Sequence, residues 1–352
     1  MLGGGEQSFL DLLSNLPESW NVLAVVPEEA ELATRLRKNG IDTEIATLPS
    51  IRPWYILNFF SSLKRYFNLL RTYQPALIYA NGPRAAFYGG LTGRFLHVPV
   101  IWHCRIAEPD IYLDPILCRL SIKIIANSKA TAKRFKSRFQ HKVRTIYNGI
   151  DIAWAQDVSV KKSDLIKRDW KVILVVARIS RSKRHDLALS AFQRIALSNP
   201  KFHLVCIGAE DHLDPGWYDY LMKMTRQSEI SNRIHWTGQV HDVRPWYRSA
   251  DILLFPSENE AFGRVLVEAM ASGVPVVATR SGGVSEIVRH GKDGFLVTPR
   301  SVDEMADAMG RILANNDLRK RLAESAFNRA DIFNLDNHIE KMTKVFEEMI
   351  KT

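Results

Sequence analysis

The chain has 352 residues, 46% apolar and 24% charged, which suits a globular protein of two ordinary domains and excludes a low-complexity or disordered chain. It has no run of about 18 apolar residues, so no membrane-spanning helix is expected, and the opening MLGGGEQSFLDLL lacks the basic start and cleavage site of a signal peptide. The net charge of +10 is uneven: residues 1–50 carry 3 Lys and Arg against 8 Asp and Glu, residues 51–150 carry 16 against 3, and the remainder is close to neutral.

Such a basic segment implies anionic partners: phosphate-bearing substrates, a lipid headgroup surface or nucleic acid. It lacks the aromatic–basic sheet pattern of nucleic-acid readers, so nucleic acid is set aside. Three scattered cysteines, Cys104, Cys118 and Cys206, have no metal-ligand spacing and suit a reduced, cytosolic compartment.

In chain order, Gly3-Gly4-Gly5 leads into an apolar helical pattern at Phe9, Leu10, Leu12, Leu13 and Leu16. A strand is expected over 21–26, a helix over 28–38 ending at Asn39-Gly40, and a strand over 41–46. A longer helix runs from Trp54 to Tyr73. It mixes aromatics with Lys64, Arg65 and Arg71, a composition that suits either an anionic membrane surface or packing on a sheet. Strands over 76–80, 98–103, 122–126 and 143–147 alternate with helices over 84–96 and 129–135. After the turn Asn148-Gly149-Ile150-Asp151, a polar stretch to Asp169 reads as a linker. Strands over 172–176, 203–207, 234–236 and 252–255, with helices over 186–197 and 217–227, repeat the grammar, and 302–351 is helical throughout.

Strands alternating with helices at this spacing, twice over, indicate an α/β protein with two doubly wound parallel sheets. The expected domains are 1–150 and 151–335, with a last helix over 336–352 returning to the first domain. A glycine-rich turn such as Gly3–Gly5 belongs after a strand, and only Met1 and Leu2 precede it. The first strand of the amino-terminal sheet is therefore missing from the pattern. A start placed too far downstream accounts for this better than a sheet built without its central strand, which would leave bare edges.

The most informative stretch is FPSENEAFGRVLVEAMASGVPVVATRSGGVSEIVRHGKDGFLVTP, from Phe255 to Pro299. Glu260 and Glu268 stand eight positions apart around the start of a helix, too far along it to form a close acid/base pair. They must touch different parts of an extended ligand. The amides of Phe262, Gly263, Arg264 and Val265 are the donors of a helix N-terminus, which suits a phosphate. Arg178 and Lys183 follow the first strand of the second half and suit a diphosphate, although a plain basic turn remains an equal reading. His103, at the end of a strand, is expected at the mouth of the first sheet, with Arg105 and Asn81 as further polar candidates. For each of the three, a packing or turn role is the blander alternative. No Asp-x-Asp pair, zinc motif or Walker loop is present, so neither a metal nor a cofactor is expected.

The stretch Glu260-Ala-Phe-Gly through Glu268-Ala-Met-Ala-Ser-Gly-Val-Pro-Val-Val-Ala-Thr resembles the signature of glycosyltransferase family 4, whose members are retaining sugar-nucleotide transferases of the GT-B fold. The Gly282-Gly283 turn with Glu286, the element Val175-Val176-Ala177-Arg178-Ile179 with Lys183, Thr237-Gly238, Ala250-Asp251 with Pro256-Ser257, and Asn148-Gly149-Ile150-Asp151 are similar to the family as well. Arg184 stands where the family often has glycine, which implies a different loop backbone there.

The resemblance implies that Glu268 binds the ribose and Glu260 the donor sugar. Phe262-Gly263 and the following amides would meet sugar and diphosphate, and Arg178 and Lys183 would neutralise the leaving diphosphate. His103 would stand near the reacting sugar, and Gly4 and Gly5 would close the donor site from the first domain, across a cleft. The implied partners are a nucleotide-diphosphate sugar and a sugar or lipid-linked acceptor, for a cytoplasmic enzyme of surface polysaccharide or glycolipid synthesis, peripheral on the inner membrane face. A sugar-nucleotide 2-epimerase of the same fold, or a non-catalytic binder lacking its first strand, is the alternative.

Overall fold

In the computed structural model, which describes residues 2–49 and 56–351 and only the backbone of 56–58, the chain divides into two compact units. The first runs to Gly149 and resumes at Leu335, and the second comprises Ile150–Asn334.

The first unit contains helix α1 (Gly4–Ser14), strand β1 (Leu23–Val26), α2 (Glu31–Lys38), β2 (Asp42–Ile45), α3 (Ile56–Tyr73), β3 (Ile78–Asn81) and α4 (Pro83–Leu96). It continues with β4 (Val100–Cys104), α5 (Leu113–Leu120), β5 (Lys123–Ala126), the short α6 (Lys129–Ala132) and β6 (Val143–Thr145). Trp54 and Tyr55, the expected start of α3, lie outside the described residues. The strands form two parallel sheets, β1-β2 and β3-β4-β5-β6. No described residue ahead of α1 forms a strand, and the sheet is interrupted between β1 and β3.

Strand alternation sorts β4 between two layers. Ile101 faces a cluster with Ile125 and Ile146, while Trp102 and Cys104 face Leu117 and Cys118 of α5. The first of these faces is closed by the last helix, α15 (Leu335–Ile350), whose Leu335, Ile339, Met342, Val345 and Phe346 join Ile101, Ile125 and Leu12.

Gly3–Gly5 is not a loop. Gly3 is the N-cap of α1, and Gly4 and Gly5 lie in its first turn. The Glu6 carboxylate accepts from the Gly3 amide at 2.7 Å, half of a capping box that helps start a helix on poor helix formers.

The second unit contains α7 (Ile152–Gln156), β7 (Lys171–Val176), α8 (His185–Ala196), β8 (Phe202–Ile207), α9 (Trp217–Arg226), β9 (Ile234–Gly238) and α10 (Arg244–Tyr247). There follow β10 (Ile252–Phe255), α11 (Arg264–Ala271), β11 (Val276–Thr279), α12 (Val284–Ile287), β12 (Gly294–Val297), α13 (Val302–Ala314) and α14 (Asn316–Ala330). The stretch over 302–351, expected to be helical throughout, consists of three helices. Asn315 caps the second with its side chain, and a 3-10 turn at Asp331–Phe333 precedes the third. The six strands are all parallel in the order β12-β11-β10-β7-β8-β9. Ile173, Leu204, Leu254 and Val277 pack with Phe192 of α8 and Met309 of α13 in one large core.

The order reverses at β7, which lies between β10 and β8. The chain moves outward to β9 on one side and then returns to build β10 on the other. Loops leaving β7 and β10 therefore diverge from neighbouring strand ends and open a crevice, the place where open α/β sheets bind ligands.

Candidate functional site

The loop after β7 is pinned from three sides. Ala177 and Ile179 donate to the carbonyls of Ile207 and Ala209, and Gly208, at φ 152°, lets the two loops touch. A Cβ there would lie 1.9 Å from the Ala177 oxygen, so only glycine fits. The loop then tightens into a 3-10 turn, Arg181–Lys183, closed by Arg184 at φ 52°, ψ 45°. That left-handed conformation is the one glycine favours, so the replacement leaves the backbone where glycine would put it, at a cost of about 1 kcal/mol. Arg184 reaches Asp186 and Glu258, and these bonds offset the strain. Arg181 is engaged elsewhere, over the Trp217 ring at 4.8 Å and beside Asp214.

The loop after β10 is held as tightly. Glu258 donates its amide to the Ser182 carbonyl, joining the two loops across the switch point. Asn259 takes φ 55° and donates to Ser281 Oγ at 2.7 Å. The Gly282-Gly283 turn lies against the next residue: the Gly283 amide donates to the Glu260 carbonyl at 2.9 Å, and a Cβ on Gly282 would sit 2.0 Å from that oxygen. The backbone of Glu260 is therefore fixed by a turn more than twenty residues downstream.

Lys183 Nζ and Glu260 Oε2 meet at 2.6 Å, with side chains 23% and 18% exposed. This contact straddles β7 and β10 and brings together two of the expected site residues. Arg178 does not join it. Its guanidinium pairs with Asp211 at 3.1 Å and is 59% exposed, and Asp211 is buried and accounts for that pull.

Phe262 is buried against Phe333, ring centroids 5.7 Å apart, so only its backbone is available to a ligand. Gly263 at φ 100° is the N-cap of α11, which has no side-chain cap. Arg264 and Val265 begin the helix, and their amides point out of its N-terminus. Glu268, one turn on, receives the Tyr247 hydroxyl at 3.1 Å and lies 3.7 Å from Arg264. Tyr247 is buried, and burial together with the Glu268 charge pushes its phenol well above the usual range, so it stays a donor. The sequence carried no signal for Tyr247, an aromatic in the short Arg244–Tyr247 helix.

In the first unit Arg105 is the organiser. It donates to Asn81 Oδ1 at 2.6 Å and Asn148 Oδ1 at 2.5 Å, and approaches the Tyr79 hydroxyl at 3.3 Å. Asn81 in turn donates to the Gly5 carbonyl at 3.2 Å, which ties α1 to the carboxyl end of β3.

His103 is not at an open mouth. It is fully buried, with Nδ1 bonded to the Tyr79 hydroxyl at 2.6 Å and no partner at Nε2 among the described residues. Alternation along β4 turns it to the face that α15 covers, and the ring of His338 stands 6.4 Å away. Burial first, then Arg105 and His338, holds its pKa well below 6.5, so it is neutral near pH 7. The expectation of an exposed strand-end histidine is corrected accordingly.

The model of Glycosyltransferase Family 4 matches residues 2–154, and that of Glycosyl transferases group 1 matches residues 159–329. The chain is 29% identical over 242 residues to an uncharacterised glycosyltransferase of Methanocaldococcus jannaschii, an alignment covering 64% of this chain and 60% of that protein. It is 33% identical over 183 residues to a D-inositol 3-phosphate glycosyltransferase of Corynebacterium jeikeium, over 51% of this chain and 44% of the other. In both cases the match spans less than two thirds of the relative's length. In structure the chain is similar to Anabaena HepE, solved in complex with UDP-glucose: the TM-score is 0.84 at 22% identity, over 99% of this chain and 97% of that one. With two parallel-sheet units, a topological switch point occupied by Lys183 and Glu260, and family models matching both halves, the chain belongs to glycosyltransferase family 4 and has the GT-B fold.

Proposed function

We propose that the protein transfers a sugar from a UDP-sugar to an acceptor hydroxyl and retains the anomeric configuration. The observation that carries this reading is the Lys183–Glu260 pair at the strand-order reversal, beside a helix N-terminus without a side-chain cap. A cation and amide donors at one point suit a diphosphate, and a carboxylate beside them suits sugar hydroxyls. Glu268, farther along the helix and held by Tyr247, is the ribose ligand. UDP is chosen as the nucleotide because HepE was solved with it.

In this reading the acceptor oxygen bonds to the anomeric carbon on the face from which the diphosphate departs. The acceptor's proton passes to the departing phosphate oxygen, so no side-chain nucleophile is required. Lys183, Arg178 and the amides at Gly263–Val265 stabilise the charge growing on the diphosphate. That role asks Arg178 to leave Asp211, and its exposure makes the move inexpensive. His103 takes no proton in this scheme. Arg105 and Asn81 belong to the acceptor side, and the step needs no metal.

The acceptor is a sugar or a lipid-linked sugar, for surface polysaccharide or glycolipid synthesis at the cytoplasmic face of the membrane. The excess of 16 basic over 3 acidic residues in 51–150 supports an anionic surface as partner. No helix of the described residues is long and apolar enough to cross a membrane.

Calorimetric titration with UDP, then incubation of UDP-sugars with lipid-linked and free acceptors and NMR of the product's anomeric centre, tests the reading. Product with the donor's configuration, unaffected by chelator, is expected. Inversion, loss of activity with chelator, or isomerised donor formed without acceptor would each overturn it.

A further inference from the structure

Five non-glycine residues take left-handed backbone among the described residues, and three of them gather around Glu258: Arg184 at φ 52°, Asn259 at φ 55° and Arg300 at φ 66°. Such backbone is strained for any residue but glycine and persists only where neighbours over-determine it. Here the side chains supply the reason, since both arginines grip the Glu258 carboxylate.

The grip is oriented. Asp186, in the first turn of α8, accepts from Arg184 Nε at 3.0 Å and Nη2 at 2.9 Å, which fixes the plane of the guanidinium. The remaining nitrogen, Nη1, donates to Glu258 Oε1. Arg300, in the loop after β12, donates from Nε to Oε1 at 3.0 Å and from Nη2 to Oε2 at 3.2 Å. Arg300 first and then Arg184 hold the Glu258 carboxyl below its usual range, so it is ionised near pH 7. Arg184 and Glu258 are 20% and 19% exposed, Arg300 74%, so Arg184 is the stronger tie and Arg300 the weaker.

Three consecutive residues of the β7 loop thus bind the segment that carries Glu260. Ser182 accepts from the Glu258 amide, Lys183 bonds the Glu260 carboxylate, and Arg184 bonds the Glu258 carboxylate. In the proposed transfer Lys183 serves the diphosphate and Glu260 the sugar, so the bond between them is given up when the donor binds. Glu260 is then left with the Gly283 amide on its carbonyl and with whatever holds Glu258, two residues earlier.

We propose that Glu258 is a positioning residue for sugar transfer: clamped by Arg184 and Arg300, it keeps Glu260 aimed at the donor sugar once Lys183 has turned away, a role that rests on Glu260 being the sugar ligand. The two arginines, in place of glycine at left-handed positions, are what allow the clamp to reach across three loops.

The test compares Arg184→Gly, Arg300→Gly, Glu258→Ala and the Arg184→Gly, Glu258→Ala pair. Glycine suits both left-handed positions, so these changes remove a side chain and leave the backbone its conformation. Steady-state kinetics with UDP-sugar, calorimetry with UDP and hydrogen exchange at the Glu258 and Gly283 amides are read together. Arg184→Gly and Glu258→Ala should each lower kcat by about 10- to 100-fold, the cost of a misplaced contact, and Arg300→Gly should lower it less. The Kd for UDP should stay within about threefold, and the pair should lose no more than either single change, because both act through one contact. Unchanged kcat in Arg184→Gly, losses that multiply in the pair, or UDP affinity falling as far as kcat would each overturn the clamp. If Glu258→Ala does not fold, Arg184→Gly and Arg300→Gly decide. A parent chain that binds UDP and transfers no sugar refutes the transfer reading by itself. The clamp is then judged by exchange: faster exchange at the two amides in Arg184→Gly, at an unchanged unfolding temperature, supports it, and equal exchange overturns it.

Discussion

Glu268 offers the sharpest separation of binding from folding. Its carboxylate is 14% exposed and meets the Tyr247 hydroxyl at 3.1 Å, with Arg264 beyond at 3.7 Å. Glu268→Gln keeps an oxygen for Tyr247 and removes the charge. A hydrogen bond to a charged group is worth about 1.5–3 kcal/mol, against about 0.5–1.5 for a neutral one. If both ribose hydroxyls are held, the loss is about 2–3 kcal/mol, or roughly 30- to 150-fold in the Kd for UDP. Glu268→Ala loses the same affinity and also takes an acceptor from a buried phenol, about 1–3 kcal/mol of stability. Calorimetry with UDP and denaturant unfolding read the two quantities apart. If Glu268→Gln binds UDP within threefold of the parent, or if the Ala change costs stability alone, the ribose assignment is wrong.

Glu260→Ala should lower kcat by about 100-fold with KM changed only a few-fold, the mark of an interaction made in the transition state; equal effects on both parameters count against a contact to the reacting sugar. Arg178→Ala with Lys183→Ala should cost at least about 100-fold in kcat/KM through lost stabilisation of the leaving diphosphate, and unchanged activity refutes that role. Gly282→Ala places a methyl against the Glu260 carbonyl and should reduce kcat far more than UDP affinity, which steady-state kinetics with calorimetry decide. His185 is buried, with neither ring nitrogen bonded among the described residues, and burial lowers its pKa to about 4. The unfolded chain therefore takes up a proton near pH 6.5 that the folded one refuses. This contribution is fully present above pH 6.5 and falls away by about 3 kcal/mol as pH drops to about 4. His185→Leu should flatten that slope in denaturant titrations at pH 7 and 4.5, and an unchanged slope refutes it.

Local chemistry made much of the second unit legible. Periodicity and turn residues place β7, β10 and α11, and with them Lys183, Glu260 and Glu268. What the residues alone did not disclose depends on distant partners. The fate of Arg178 is decided by Asp211, beyond the next strand in sequence, and the orientation of Glu268 by Tyr247. The backbone at Arg184 keeps its left-handed form because Asp186 and Glu258 hold the guanidinium, which a comparison of residue types could not reveal. His103 reads as a strand-end group at an open edge until α15 is seen to lie over its face, and that helix is written more than two hundred residues later. That Gly4 and Gly5 lie in a helix rather than a loop had a local signal: a glycine followed three residues on by Glu6 is a helix start.

The return of α15 has a consequence for how the protein is made. The core that Ile101, Ile125 and Ile146 begin is completed only by Met342, Val345 and Phe346. The whole of the second unit is synthesised in between. At translation speeds of about 5–20 residues per second, the first unit waits roughly ten to forty seconds with that face uncovered. The second unit, contiguous in the chain, has no such wait. Order of emergence and order of completion are therefore opposite, and the half made first is the half that depends on the cell to keep its apolar surface from other chains.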